Sequence, residues 1–165
     1  MMNMNPLANV EMFLKSKGIE YTQYEHRAVY TCEEAKKYCY HVPGISCKNL
    51  FLMNKKKNRY FLIVIHSDKR ADLKKIGEIV GEKTIRFADA QILLEKLGVE
   101  PGSVSPMGIL NDTSHEVNIY IDRDIYNAPI MNCHPNRNTA SLELSQNMFH
   151  KFLNSIENTY TVIDF

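Results

Sequence analysis

The chain has 165 residues, 44% of them hydrophobic, with 20 lysines and arginines against 19 aspartates and glutamates and a formal net charge of +1. That length suits one domain, residues 1–165, whose core needs no disulfide or metal to hold it, and the charge balance excludes a global electrostatic case for nucleic-acid binding. No apolar run approaches the ~18 residues of a membrane-spanning helix, and MMNMNPLANVEMF lacks the pattern of a signal peptide. Cys32, Cys39, Cys47 and Cys133 show no CxxC or zinc-site spacing, so the expectation is a cytoplasmic protein with reduced thiols, no metal, no cofactor and no membrane partner.

Asn5 as N-cap and Pro6 at the first helical position open a helix in which Leu7, Val10, Phe13 and Leu14 recur at helical spacing until Gly18. Ile19 to His26 reads as a strand, and Thr31 with Glu34 forms a capping box for a helix towards Tyr40, with Cys32 and Cys39 on one packed or half-buried face. Ser46–Met53, a basic turn and the apolar run YFLIVIH at 60–66 read as a β-hairpin whose second strand is covered on both faces. Alternation puts Cys47, Asn49 and Phe51 on one face of the first strand and Lys48, Leu50 and Leu52 on the other. Lys48 either snorkels to solvent or overhangs a pocket floored by the leucines.

A helix follows over Asp72–Val80 with Gly81 after it, then a short strand at Thr84–Phe87 and a helix from the Asp89 cap through Leu97 to Gly98. PGSVSPMGILND at 101–112 reads as a shaped loop, with Gly102 and Gly108 free to take positive φ or to admit a ligand against the backbone. Strands at 117–121, 128–133 and 139–144, a helix capped by Ser145 and a last strand at Tyr160–Phe165 complete the chain. Without βαβ alternation, these elements indicate an α+β fold with a mixed sheet.

Templates for common hydrolases and nucleotide-binding proteins are missing: the sequence has no GxSxG, HExxH, GxxxxGK[ST] or GxGxxG. A thiol hydrolase using Cys47 with His134 stays open. Two basic groups, Lys55, Lys56, Lys57 and Arg59 in one turn and Lys69, Arg70, Lys74 and Lys75 close together, are either solvated surface or phosphate contacts.

Three stretches, KNLFLMN at 48–54, PGSVSPMGILND at 101–112 and HPNRNTASLELS at 134–145, in this order and at these separations, resemble the YbaK/ProX family of aminoacyl-tRNA deacylases. Within it they are most similar to prolyl-tRNA editing proteins of the ProX or PrdX type (ProXp-ala), and the similarity runs from about Leu7 to the C-terminus. The resemblance implies one α+β domain with a mixed, barrel-like sheet flanked by helices. It also implies hydrolysis of the ester joining a wrong amino acid, typically alanine, to the acceptor end of proline tRNA, with prolyl-tRNA synthetase as a candidate partner.

By match to the family motifs, Lys48, Gly108 and His134 take the catalytic positions. Ser105, Pro106, Met107, Asn111 and Asp112 line the aminoacyl pocket, with Asn136, Asn138 and Thr139 on a second polar wall. Lys55, Lys56, Lys57, Arg59, Lys69, Arg70, Lys74 and Lys75 would then hold tRNA phosphates. Met107, where the family often has phenylalanine, and Cys47, where it has a small or polar residue, depart from the pattern. Cysteine or another small amino acid as the edited group, and a non-catalytic module that binds aminoacyl-tRNA, are the alternatives.

Overall fold

The run YFLIVIH has no polar face, so as a strand it must be covered on both sides. In the computed structural model, which describes residues 7–165, it does so as β3 (Tyr60–His66), with Phe61 through Ile65 all at most 1% exposed. Its side chains divide by parity. Leu62 and Val64 join the main core, whereas Phe61, Ile63 and Ile65 meet a second cluster formed with Ile76 and Val80 of α3 (Leu73–Val80). Each such fully buried aliphatic or aromatic side chain contributes about 1.5–3 kcal/mol.

Eight strands form one mixed sheet. Before β3 come α1 (Val10–Ser16), β1 (Thr22–Glu25), α2 (Cys32–Tyr38) and β2 (Ile45–Asn54). After α3 come β4 (Ile85–Phe87), α4 (Ala90–Leu97), a 3-10 helix (Pro106–Asn111), β5 (Val117–Asp122), α5 (Arg123–Tyr126), β6 (Ile130–Cys133), β7 (Ala140–Ser145), α6 (Gln146–Ser155) and β8 (Tyr160–Ile163). The order is β1-β7-β6-β2-β3-β5-β8, with β4 also on β2. β2 pairs antiparallel with β3 and β4 but parallel with β6, through Ile45↔Met131 and Ser46↔Asn132. The long β2 therefore stitches the β1-β7-β6 side of the sheet to the β3-β5-β8 side.

Local signals set the helix starts. Thr31 Oγ1 accepts from Glu34 N at 3.0 Å, Asp72 Oδ1 from Lys74 N at 3.1 Å, Asp89 Oδ1 from Ile92 N at 2.9 Å and Ser145 Oγ from Met148 N at 3.2 Å. The expected cap at Asn5 and Pro6 lies outside the described residues. α1 starts from the Asn9 cap, so Leu7 precedes the helix and is exposed. Residues 123–126, between β5 and β6, make the short α5. No helix among the described residues is long and apolar enough to cross a membrane.

Candidate functional site

The parallel β2–β6 ladder sets Cys47 and Lys48 beside the chain leaving β6, at Cys133 and His134. A cleft of about 260 Å³ opens there, lined by Cys47, Lys48, Asn49, Gly102, Val104 and His134 together with Val29 to Cys32 and Ala35. By strand alternation the cleft takes Cys47 and Asn49 from one face of β2 and Lys48 from the other. The expected leucine floor is absent from it, because Leu50 and Leu52 belong to the cluster under α3.

His134 is half-buried, and its Nδ1 lies 2.8 Å from the Ala140 carbonyl oxygen. A carbonyl only accepts, so Nδ1 carries the proton and Nε2 keeps its lone pair. Burial holds the imidazole below its ordinary pKa, against the opposing Ala140 bond, so it is neutral at pH 7. Among the described residues Nε2 has no hydrogen-bond partner, which leaves it for a ligand. His26 stands behind with its ring centroid 6.1 Å away and its Nε2 2.9 Å from Ser141 Oγ.

Lys48 is half-buried and makes no ion pair among the described residues. Its charge reaches Asp68, whose carboxyl is held below the usual range chiefly by the ion pair with Lys36 and to a lesser degree by His66 and Lys48. Cys47 answers the thiol-hydrolase reading differently. Burial pushes its thiol up to about 11, and Sγ lies 3.5 Å from the Asn132 carbonyl oxygen. The thiol is thus protonated at neutral pH, without the thiolate that nucleophilic chemistry requires. Cys133 is buried beside it and shifted upward further by the same cause.

Most of the 105–112 segment packs inward. Ser105 caps the 3-10 helix, accepting from Met107 N at 3.1 Å and donating to the His134 carbonyl oxygen, with Pro106 at the first turn. Ser105 and Met107 are wholly buried, Met107 within the main core, so they support the cleft from behind. Gly108 N donates to Ser105 O at 3.0 Å, and a Cβ on Gly108 would stand 3.1 Å from Leu97 Cβ. That glycine permits close packing on α4 and has no amide to offer a ligand. The glycine that lines the cleft is Gly102, at φ +90.

Asn111 and Asp112 also face inward. Asn111 Nδ2 donates to Leu97 O at 2.8 Å, and its Oδ1 accepts from Ala8 N at 2.7 Å. Asp112 Oδ2 accepts from Val117 N at 2.9 Å and Asn158 Nδ2 at 2.8 Å. Both tie loops to the core, away from the cleft. On the 134–139 loop, Asn136 Nδ2 holds the Met107 carbonyl at 3.2 Å, and Asn138 Nδ2 holds that of Val29 at 3.0 Å, bracing the cleft wall. Thr139 Oγ1 accepts from Arg137, whose guanidinium also bridges both carboxylate oxygens of Glu25 at 2.9 and 2.6 Å.

The two basic groups lie at opposite ends of the β2–β3 hairpin. Lys55, Lys56 and Lys57 are exposed in the turn seven or more residues along from Lys48, roughly 23 Å at strand rise. Arg59 there is held by Glu82 at 2.7 Å. Lys69, at the cleft end, is committed to Asp122 and Asp124 at 2.9 Å each, while Arg70, Lys74 and Lys75 are exposed. Sequence reasoning missed Val29, Tyr30, Asn49 and Val104 as cleft residues, and nothing local marks them. The Ser105-Pro106 pair, in contrast, was a legible helix start. Among the described residues no group of three or more His, Cys, Asp or Glu could hold a metal ion.

Comparison with known proteins adds an independent line. Residues 26–152 match the model of the aminoacyl-tRNA editing domain. The chain is 33% identical over 163 residues to the prolyl-tRNA editing protein ProX of Acetoanaerobium sticklandii, covering 99% of each. It is 34% identical over 158 residues to the prolyl-tRNA synthetase associated domain-containing protein 1 of Danio rerio, covering 94% of this chain and 85% of that one. Among solved structures, a candidate trans-editing enzyme for prolyl tRNA synthetase superposes with TM-score 0.73 at 22% identity, over 94% of this chain and 92% of that one. At that identity the match shows the shared α+β fold.

Proposed function

The chain belongs to the aminoacyl-tRNA editing domain family, and from that premise we propose that it hydrolyses the ester of misacylated proline tRNA, with alanine as the amino acid removed. A synthetase pocket built for proline cannot exclude a smaller amino acid by size, so a second, smaller site must do so. The cleft supplies such a site. Val29, Cys47 and Val104 are small apolar lining groups, and Asn49 and His134 add polar ones.

The observation that carries the reading is His134 in the cleft as a neutral imidazole whose Nε2 has no partner among the described residues, in a cleft that also holds Lys48. An aminoacyl ester is already activated, so positioning a water and stabilising the developing oxyanion suffice. Water adds to the ester carbonyl, its proton passes to Nε2 directly or through the vicinal ribose hydroxyl, and the bond to the ribose oxygen breaks as that oxygen takes a proton. Lys48 offsets the negative charge that develops. Among the described residues the amides of Gly102 and Val104 donate no hydrogen bond, so they replace that of Gly108 as candidate oxyanion donors. The exposed Lys55–Lys57 turn lies at a distance that suits phosphates of the acceptor stem more than the terminal nucleotide.

The test is release of amino acid from alanyl-, cysteinyl-, seryl- and prolyl-tRNA, all on proline tRNA, by the natural protein and by Lys48→Ala. Loss of alanine alone, abolished by the substitution, is the expected outcome. Release of cysteine or serine in its place would change the sieve, and binding with no release from any substrate would refute hydrolysis.

A further inference from the structure

Tyr30 is 66% exposed yet lines the cleft, beside the half-buried Val104 and the buried Val29. Its position is built. A Cβ on Gly102 would fall 3.0 Å from Tyr30 Cδ1, so a side chain there would push the ring outward by a few tenths of an ångström, and Gly102 at φ +90 is a position that side chains avoid. Part of the ring rests on the Gly102 turn and the rest faces solvent. The other exposed tyrosine, Tyr40, at 83%, stands edge-on to His41 and is not part of the cleft lining.

The volume sets where a ligand's parts can go. At about 260 Å³ the cleft is smaller than the roughly 300–1,000 Å³ of pockets that enclose drug-sized molecules. An aminoacyl nucleoside is of that size, so with the ester at His134 and Lys48 the nucleobase must lie at the rim. We propose that Tyr30 is the stacking platform for the terminal adenine of the RNA, placed by Gly102. This assignment rests on the editing reading above. Unpaired bases at RNA ends are commonly held on aromatic rings, and such stacking tolerates any base because every base has a π-face.

Two measurements separate this inference from the reading beneath it. The first is binding of two uncharged RNA hairpins carrying the acceptor stem, one ending in CCA and one with an abasic terminal residue, to the natural protein, Tyr30→Ala and Tyr30→Trp. The natural protein should bind the CCA form about 5- to 150-fold more tightly, the range a stacked base contributes. Tyr30→Ala should bind both forms alike at the weaker affinity, and Tyr30→Trp should keep the preference. Equal binding of both hairpins by the natural protein, or an undiminished preference in Tyr30→Ala, would overturn the platform whether or not the protein hydrolyses anything. The second is alanine release by the natural protein, whose absence would sink the editing reading alone. With release intact, kcat/KM in Tyr30→Ala should fall by the same factor on the CCA-ended substrate and stay unchanged on the abasic one. Equal losses on both would instead mark a structural role.

Discussion

Replacing Asp112 by alanine separates a residue that shapes the substrate pocket from one that holds the fold. Asp112 is 4% exposed, and one carboxylate oxygen accepts from Val117 N at 2.9 Å and Asn158 Nδ2 at 2.8 Å, joining the end of the 3-10 helix to the start of β5 and the loop before β8. Hydrogen bonds to a charged group contribute about 1.5–3 kcal/mol each, and removing this one strands the buried Val117 amide. Asn158 keeps a second bond, to Val117 O at 2.9 Å. Release of a buried carboxylate offsets part of the loss, leaving a net cost of about 3 kcal/mol.

For a chain of this length that cost lowers Tm by about 6–12 °C. Asp112→Asn retains an acceptor oxygen and should lose about half as much, since neutral hydrogen bonds are roughly half as strong. Thermal and urea unfolding measure the cost, with the urea m-value unchanged. With an ordinary stability of about 5–15 kcal/mol the variant stays folded at 25 °C, so alanine release should keep its kcat/KM within about twofold. A 100-fold drop in kcat/KM with an unchanged unfolding midpoint would refute the placement and return Asp112 to the reacting pocket.

On the proposed reaction, the pH dependence of alanine release should report His134. Protonation would fill the Nε2 lone pair, and burial lowers the folded pKa, so kcat/KM should hold level from pH 8 to the ordinary imidazole value of about 6.5 and decline only below it. A decline already under way above pH 7 would exclude a neutral, buried His134 as proton acceptor. The two loop glycines should part company. Gly108→Ala, meeting Leu97 Cβ at 3.1 Å in a buried contact, should cost roughly 1–3 kcal/mol of stability and spare kcat/KM. Gly102→Ala, exposed but at φ +90 and 3.0 Å from Tyr30, should lower kcat/KM more than its loss of stability explains. The reverse pattern would put the reacting wall at Gly108.

Much of this architecture was legible in the chain because it follows from neighbouring residues. Thr31, Asp72, Asp89 and Ser145 mark helix starts because a side-chain oxygen satisfies amides two or three residues on. YFLIVIH marks a strand covered on both faces, and the alternation at 47–52 assigned Phe51 and Leu52 to opposite faces, where they join different clusters. The three motif stretches carried the family, since they preserve residue types in order. The cleft itself was another matter. Lys48 and His134 are 86 positions apart and meet only because β2 and β6 pair in parallel, a register that no local pattern specifies. Nor could the chain say which polar residues face a ligand. Ser105, Asn111, Asp112 and Asn138 look like pocket residues, yet each satisfies buried or loop backbone, at Met107 N, Leu97 O, Val117 N and Val29 O respectively. A buried amide or carbonyl demands a polar partner as strictly as a substrate does. Only the packed structure, by showing which polar atoms are already paired and which stay open to the cleft, tells the two apart.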